Sequence, residues 1–249
     1  MSINVELPTT AGLARLAPDK SAATIEGAMG TLGREIAGHR EERKRFKAAP
    51  RFAPAGQSTQ MIVGADAASD AEIMARAATL YDRYALRRVY YSAFSPIPDA
   101  SAVLPLKRPP LLREHRLYQS DWLVRFYGYA PHEVQAAADD AGMLPLDIDP
   151  KLAWALRFRD RFPVDLNRAP REALLRVPGL GVRAVDALLA ARRHRRLRLA
   201  DVARLTVSLG RLRPFVVTAD WRPTLLADRA DLRPLLAPRA ERQLELFAA

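Results

Sequence analysis

The strongest chemical signal in the sequence is a glycine-rich turn between two apolar segments. It reads Val177-Pro178-Gly179-Leu180-Gly181, and Arg183 follows it. Proline ends a helix, and glycine permits backbone angles and close approaches that other residues do not. Backbone N–H groups at the start of the next helix, together with the helix dipole, form a site for a phosphate group. The spacing therefore predicts a phosphate-binding turn, in which Leu180 points inward and Arg183 adds a positive charge.

The segments on both sides of this turn are predicted to be helices. Leu174 and Leu175 give the first helix an apolar face. Val185, Leu188 and Leu189 do the same for the second. The pattern resembles the helix–hairpin–helix family of DNA-binding modules, although the family usually has Ala where this chain has Val185, and the larger side chain would widen the helix crossing.

The resemblance implies a set of DNA-binding residues, namely Pro178, Gly179, Leu180, Gly181, Arg183, Arg192 and Arg193. Contacts to phosphate carry no sequence information, so the expected binding is non-specific and sensitive to salt. A plain αα-hairpin with a glycine turn is the competing interpretation.

The charge distribution singles out the same region. The chain has 39 Lys and Arg against 28 Asp and Glu, a net charge of +11. Residues 151–213 hold 16 of the basic residues and 5 of the acidic ones, so the rest of the chain is neutral. A neutral body with one basic module is typical of nucleic-acid-binding proteins. An arginine-rich composition alone would spread the charge over the whole chain.

The composition excludes several kinds of site. The chain has 249 residues, 49% of them hydrophobic, and no cysteine. A sizeable core is therefore expected, and disulfides, thiolate zinc sites and a cluster held by the chain's own cysteines are excluded. No stretch is long and apolar enough to span a membrane, and no signal peptide is recognised. We expect a cytoplasmic protein with no membrane partner.

The first hundred residues alternate strand and helix patterns. Strands are predicted at 2–7, 60–64 and 88–94, with helices between them, and such crossovers imply parallel pairing. A capping box of Ser69 and Glu72 is predicted to start the second of these helices. A proline-rich connector follows, then a helix over 112–127 with Leu117, Trp122, Leu123 and Phe126 toward a core. Asp149 is the predicted N-cap of the next domain's first helix. The predicted domains are 1–98 (partial barrel), 99–150 (connector and packing helices), 151–213 (helix–hairpin–helix) and 214–249 (an extended, weakly ordered tail).

Four strings carry a second resemblance: ELPT, KRFKAAPRFAPAGQSTQMIVGA, RRVYYSAFSP and PPLLREHRLYQSDWLVRFYG. With the hairpin, they resemble a bacterial family of radical SAM proteins described as acting in DNA modification or repair, over residues 1–213. The resemblance implies that 2–7, 60–65 and 88–93 are the fourth, fifth and sixth strands of a partial barrel.

The same resemblance implies S-adenosylmethionine and a 4Fe-4S cluster as cofactors, with Glu6 and Gly64 near the S-adenosylmethionine. The chain departs from the family in two places. It lacks the CxxxCxxC motif that holds the cluster, and Ala67 stands where the superfamily often has Glu. An outward-facing strand carboxylate is the competing interpretation of Glu6.

Together these patterns predict an α/β partial (half) barrel with parallel strands, followed by an all-α helix–hairpin–helix domain. Three parallel strands cannot close a barrel, and the first would leave a bare edge. A companion chain with the other strands, a degenerate fragment, or a start upstream of Met1 would each account for this. The expected function is the DNA-binding portion of a radical SAM DNA modification or repair protein. A non-catalytic DNA-binding scaffold is the alternative.

Two further features have competing interpretations. The sequence from Gln243 to Phe247 resembles the bacterial sliding-clamp binding peptide, with Gln243, Leu244, Leu246 and Phe247 as the clamp-binding residues. An incidental amphipathic tail is the alternative. Arg113, His115, Arg116 and Gln119 could line a substrate cleft, but a helix that buries its apolar side chains and exposes its charges is the favoured interpretation.

Overall fold

The computed structural model describes residues 1–97, 103–206, 208–224 and 229–238. The chain divides into two compact units. The first comprises Met1–Arg125 and Tyr129–Leu144, and the second comprises Phe126–Gly128 and Pro145–Ala249. Within the described residues, helices predominate and the strands form two small parallel sheets without a closed barrel. The predicted mixed α/β class is confirmed at this level.

The first unit alternates helices with the strands of one sheet. In chain order its elements are α1 (Thr10–Leu16), α2 (Ala22–Arg45), β1 (Ser58–Val63), α3 (Asp70–Tyr84), β2 (Arg88–Ala93), α4 (Leu111–Tyr127, whose last two residues belong to the second unit) and α5 (Pro131–Gln135). Strands β1 and β2 pair in parallel, from Ser58 opposite Arg88 to Val63 opposite Ala93. Helix α3 is the crossover between them, as predicted.

The predicted strand at 2–7 is an irregular edge segment rather than a full strand. It forms only two isolated parallel bridges to β1, at Ser2 and Glu6. The N–H of Val5 donates to the Thr59 hydroxyl at 3.0 Å instead of a backbone carbonyl. Glu6 has a φ of 62°, in the left-handed region. Because strand pairing needs extended residues in register, these two features interrupt the ladder.

The outer edge of β2 is closed by side chains. Three of its N–H groups donate to side-chain oxygens: Val89 to Tyr81 at 2.9 Å, Tyr91 to Tyr118 at 3.0 Å, and Ala93 to Glu114 at 2.8 Å. The Tyr118 hydroxyl also donates to the carbonyl of Tyr91 at 3.0 Å. These side chains come from α3 and α4 and take the place that a further strand would fill.

Helix α3 begins as the sequence predicts, at a capping box of Ser69 and Glu72. The Ser69 hydroxyl accepts the N–H of Glu72, and the Glu72 carboxylate accepts the N–H of Ser69. These bonds satisfy two donors that a helix start otherwise leaves unpaired.

Helix α4 buries a different face from the predicted one. Leu117 and Leu123 are buried as expected, but Trp122 is 51% exposed and Phe126 54% exposed. The buried face instead carries polar side chains, including Arg113, whose guanidinium bonds the Asp70 carboxylate and the Ala68 carbonyl, each at 2.7 Å. The paired charges occupy the inner side, so the aromatic rings turn outward.

The second unit is mixed rather than all-α. In chain order its elements are α6 (Pro150–Arg157), β3 (Val164–Asp165), α7 (Arg171–Arg176), α8 (Val182–Ala191), α9 (Leu199–Ala203), α10 (Leu209–Leu212), β4 (Val216–Val217) and α11 (Leu232–Leu236). The predicted N-cap Asp149 accepts the N–H of Leu152 at 3.0 Å and starts α6.

Residues 214–217, at the start of the predicted extended and weakly ordered tail, contain a strand of the second unit. Strand β4 pairs in parallel with β3, with Val164 opposite Val216. Phe215 and Val216 are buried, 2% and 0% exposed. Phe215 and Val216 therefore belong to the core of the second unit, because the long-range pairing of β4 with β3 supplies backbone bonds that the local sequence does not predict.

Candidate nucleic-acid interface

The predicted hairpin forms between α7 and α8, over Val177–Gly181. Gly179 is exposed and has a φ of 86°, which an L-residue adopts only with strain. Gly181, the N-cap of α8, has a φ of −88°, which any residue can adopt, so its backbone conformation does not require glycine. Leu180 is buried and anchors the turn, as predicted, and Pro178 is buried beside it.

Two carbonyl groups of the turn accept hydrogen bonds from side chains of the second unit. The Thr206 hydroxyl donates to the Gly179 carbonyl at 2.8 Å, and the Lys151 ammonium donates to the Leu180 carbonyl at 2.6 Å. Because the carbonyl and the N–H of one peptide point in opposite directions, the bond from Lys151 to the Leu180 carbonyl leaves the Gly181 N–H facing away from Lys151.

The N–H groups at the start of α8 have few partners. The Val182 N–H donates to the Tyr127 hydroxyl. Within the described part of the chain, the N–H groups of Gly181, Arg183 and Ala184 have no protein acceptor. Such groups at a helix start, with the positive end of the helix dipole, bind an anion well.

The three predicted arginines lie in different environments. Arg183 is exposed on the first turn of α8, and Arg193 is exposed just after its end; neither has a partner among the described residues. Arg192 is half-buried, and its guanidinium donates to the carbonyls of Leu166 at 3.2 Å and Ala169 at 2.7 Å. Arg192 therefore fixes the segment before α7, whereas Arg183 and Arg193 face solvent.

Sequence reasoning missed two residues beneath the turn, Lys151 and Tyr127. Lys151 lies on α6 and is only 8% exposed, with its ammonium 4.6 Å from the centre of the Tyr127 ring. Burial lowers the pKa of Lys151 to about 7, and the nearby Asp149 carboxylate opposes this shift. Burial raises the pKa of the Tyr127 hydroxyl. No local pattern separates Lys151 from an exposed lysine, because tertiary packing alone buries it.

Glu6 and Gly64, the residues expected near S-adenosylmethionine, have separate surroundings. The Glu6 carboxylate pairs with the Lys20 ammonium at 2.6 Å, beside an open groove that Gly64 does not line. Gly64 has a φ of 80°, and a Cβ added there would lie 2.8 Å from Cγ of Pro109. The close approach that Gly64 permits is thus made by Pro109.

The surroundings of Glu6 and Gly64 differ, and the chain lacks the usual ligands of the cluster. A small apolar cluster that includes Leu7, Ala65 and Phe94 packs at the carboxyl ends of the edge segment, β1 and β2. The chain has no cysteine to hold an iron–sulfur cluster. No group of three or more His, Asp or Glu within residues 1–97, 103–206, 208–224 and 229–238 could hold a metal ion.

Other predicted features lie apart from the hairpin. The clamp-binding residues Gln243, Leu244, Leu246 and Phe247 fall outside the described residues. The arginines weighed as cleft residues are both buried: Arg113 bonds Asp70, and Arg116 donates to the Gln119 amide oxygen at 2.9 Å. Among the helices that the structure describes, none combines the length and the apolar character needed to cross a membrane.

Comparison with known proteins gave no match to any family model, curated protein or solved structure. The resemblances to the helix–hairpin–helix and radical SAM families therefore stay predictions from the sequence, and the hairpin geometry is the main basis for a functional proposal.

Proposed function

We propose that this chain binds DNA through the α7–α8 hairpin and grips the phosphate backbone without reading the base sequence. One observation carries the proposal. The Gly179 and Leu180 carbonyls accept bonds from the Thr206 hydroxyl and the Lys151 ammonium, while the N–H groups of Gly181, Arg183 and Ala184 have no acceptor within the described residues. A phosphate oxygen is the acceptor that such a helix start binds best.

The charge around the hairpin supports a polyanionic ligand. Residues 151–213 carry the whole net charge of +11, and Arg183 and Arg193 project from the start of α8 and from just after its end. Phosphate contacts release counterions, so the logarithm of the binding constant should fall with the logarithm of salt concentration, with a slope of about −0.9 per phosphate contacted. A single module of this kind should bind with a Kd on the order of 10⁻⁴ to 10⁻⁶ M.

The decisive experiment reverses one charge at the interface and one elsewhere. Arg183→Glu is compared with Arg15→Glu, because Arg15 is also exposed, has no partner among the described residues and lies in the first unit. Both variants change the net charge equally. We expect fluorescence anisotropy with a short labelled duplex to give about tenfold weaker binding for Arg183→Glu and nearly unchanged binding for Arg15→Glu. Equal affinities for the two variants would overturn the proposal.

The proposal ends at binding and includes no catalytic step. Membership in the radical SAM proteins of DNA modification or repair rests on sequence resemblance, and the parallel pairing of β1 with β2 is compatible with it. The chain has no cysteine to hold an iron–sulfur cluster, so a catalytic role of this kind would need a cluster from another chain, and a non-catalytic DNA-binding scaffold is the alternative proposal.

We also propose a strand-donating partner for the first unit, because its two sheet edges differ. Backbone groups of Ser2 and Asn4 on the outer side of the edge segment have no partner among the described residues, whereas side chains close the edge of β2. An open edge is a template for another strand. Asn4→Pro removes one donor there, so it should reduce self-association in sedimentation velocity where the donor is a second copy of this chain; unchanged association would exclude that donor.

A further inference from the structure

One buried charge contacts both sides of the hairpin turn. The Lys151 ammonium donates to the Leu180 carbonyl at 2.6 Å and lies 4.6 Å from the centre of the Tyr127 ring. The hydroxyl of the same ring accepts the N–H of Val182. A single side chain therefore reaches the residue before Gly181 directly and the residue after it through one aromatic ring.

We propose that Lys151 is a positioning residue for DNA binding: its ammonium holds Leu180 and, through Tyr127, Val182, so that the N–H groups at the start of α8 face a phosphate. This role rests on the DNA binding proposed above and adds to it two residues that do not belong to the hairpin itself. Lys151 is 8% exposed, so it acts from beneath the turn rather than by touching DNA.

The contacts of Lys151 depend on its charge. A protonated amine attracts the face of an aromatic ring and makes a stronger bond to a carbonyl than a neutral amine does. The charged and titratable groups that face it are Tyr127, from the end of α4, and Asp149, which caps α6 and pairs with Arg211 of α10. Of these, only Asp149 favours the protonated amine by its charge, and burial opposes it.

The pKa of about 7 places the change of charge in an accessible range. Below that pH the ammonium is intact, and above it the amine is neutral in the folded chain. DNA phosphates favour the charged form, so DNA binding should be accompanied by proton uptake. We expect the affinity for DNA to fall about tenfold as the pH rises from about 6 to about 8.5.

Stability should change in the opposite direction. The unfolded chain keeps Lys151 protonated up to the ordinary lysine pKa of 10.5, whereas the folded chain loses that proton near 7. The unfolded state therefore binds more protons between these values, and stability rises with pH in that window. A fall in DNA affinity over the same window is then not a sign of unfolding.

The experiment measures DNA affinity and thermal melting against pH for the full chain. All variants are made in a His194→Gln background, because His194 is exposed just after α8 and histidine titrates in the same range. Lys151→Met removes the charge and should give weak binding that does not change with pH. Lys151→Arg keeps a permanent charge and should restore the binding seen at low pH, without the pH dependence.

A third variant tests the same contacts without replacing the buried Lys151, whose substitution could prevent folding. Tyr127→Phe keeps the ring over Lys151 and removes only the hydroxyl that accepts the Val182 N–H, so we expect binding a few-fold weaker with the pH dependence retained. If the Lys151→Met variant binds DNA with the affinity and pH profile of its parent, the positioning role is wrong. If the parent chain itself binds no duplex at any pH, the proposed DNA binding fails instead.

Discussion

Two glycines with nearly the same backbone conformation serve different purposes in the two units. Gly64 follows β1 with a φ of 80°, and Gly179 lies in the hairpin with a φ of 86°. Above Gly64 the ring of Pro109 fills the space, whereas Gly179 is exposed and its nearest neighbour, the carbonyl oxygen of Ser208, would lie 3.4 Å from an added Cβ. A glycine in a motif lets another group pack close to its backbone. The surrounding fold determines whether that group belongs to the protein, as at Gly64, or is left to a ligand, as proposed at Gly179.

Substitution of Gly64 should give the largest effect, and on stability alone. Gly64→Ala places a residue in the left-handed region, which costs about 1–2 kcal/mol, and brings its Cβ against Pro109. We expect a loss of about 2–4 kcal/mol of unfolding free energy and no change in DNA affinity. Urea unfolding and anisotropy measure the two quantities.

Gly27→Ala in α2 is the matched control for that change, because an added Cβ meets nothing within 4 Å. It should raise stability by about 0.5–1 kcal/mol, since alanine favours a helix. If Gly64→Ala were as stable as this control, the Pro109 ring would move aside at little energetic cost. The proposed difference between a protein-filled space at Gly64 and an open one at Gly179 would then be wrong.

Substitution of Gly179 should lower both the stability of the fold and the affinity for DNA. Gly179→Ala carries the same left-handed cost of about 1–2 kcal/mol, without a comparable overlap. A shifted turn would also move the N–H groups at the start of α8, so we expect about tenfold weaker DNA binding. Gly210→Ala, where an added Cβ has open space, is the control and should keep the parent affinity.

Substitution of Gly181 should have the smallest effect on stability. Its φ of −88° suits any residue, and an added Cβ would make only ordinary contact, 3.7 Å from the Tyr127 hydroxyl. For Gly181→Ala we expect a stability change within about 0.5 kcal/mol and DNA binding a few-fold weaker, because a methyl group crowds the N–H groups. A loss of stability as large as that of Gly179→Ala would contradict the distinction between the two hairpin glycines.

The features that the sequence predicted well depend on neighbours along the chain. The capping box at Ser69 and the N-cap at Asp149 involve residues within one helical turn, and both form as predicted. The inward Leu180 follows from the same local logic. Such bonds need no knowledge of the rest of the fold.

The features that the sequence missed depend on distant partners. Residues 2–7 alternate like a strand, but the Thr59 hydroxyl and the left-handed Glu6 interrupt the ladder. Trp122 turns outward because the pair of Arg113 with Asp70 occupies the inner side of α4. A pattern of apolar positions does not show where buried ion pairs will form.

In the candidate site too, local features were predicted and long-range contacts were missed. The turn and its exposed Arg183 were predicted from one stretch of sequence. Lys151 and Tyr127 reach the turn from 29 and 55 residues away from Leu180 and Val182, so no motif could include them. Arg192 belongs to the basic run after α8, but its two carbonyl contacts assign it to packing.

The closed outer edge of β2 also limits how copies of the chain could assemble. Tyr81, Tyr118 and Glu114 accept three N–H groups on that side, so among the described residues the segment near the N-terminus is where we expect another strand to add. Growth of a fibre by strand addition requires two open sides on every molecule, one to join and one to offer. A molecule with one open side can form a pair but not a fibre, so we expect these three side-chain oxygens to limit strand addition to pairs.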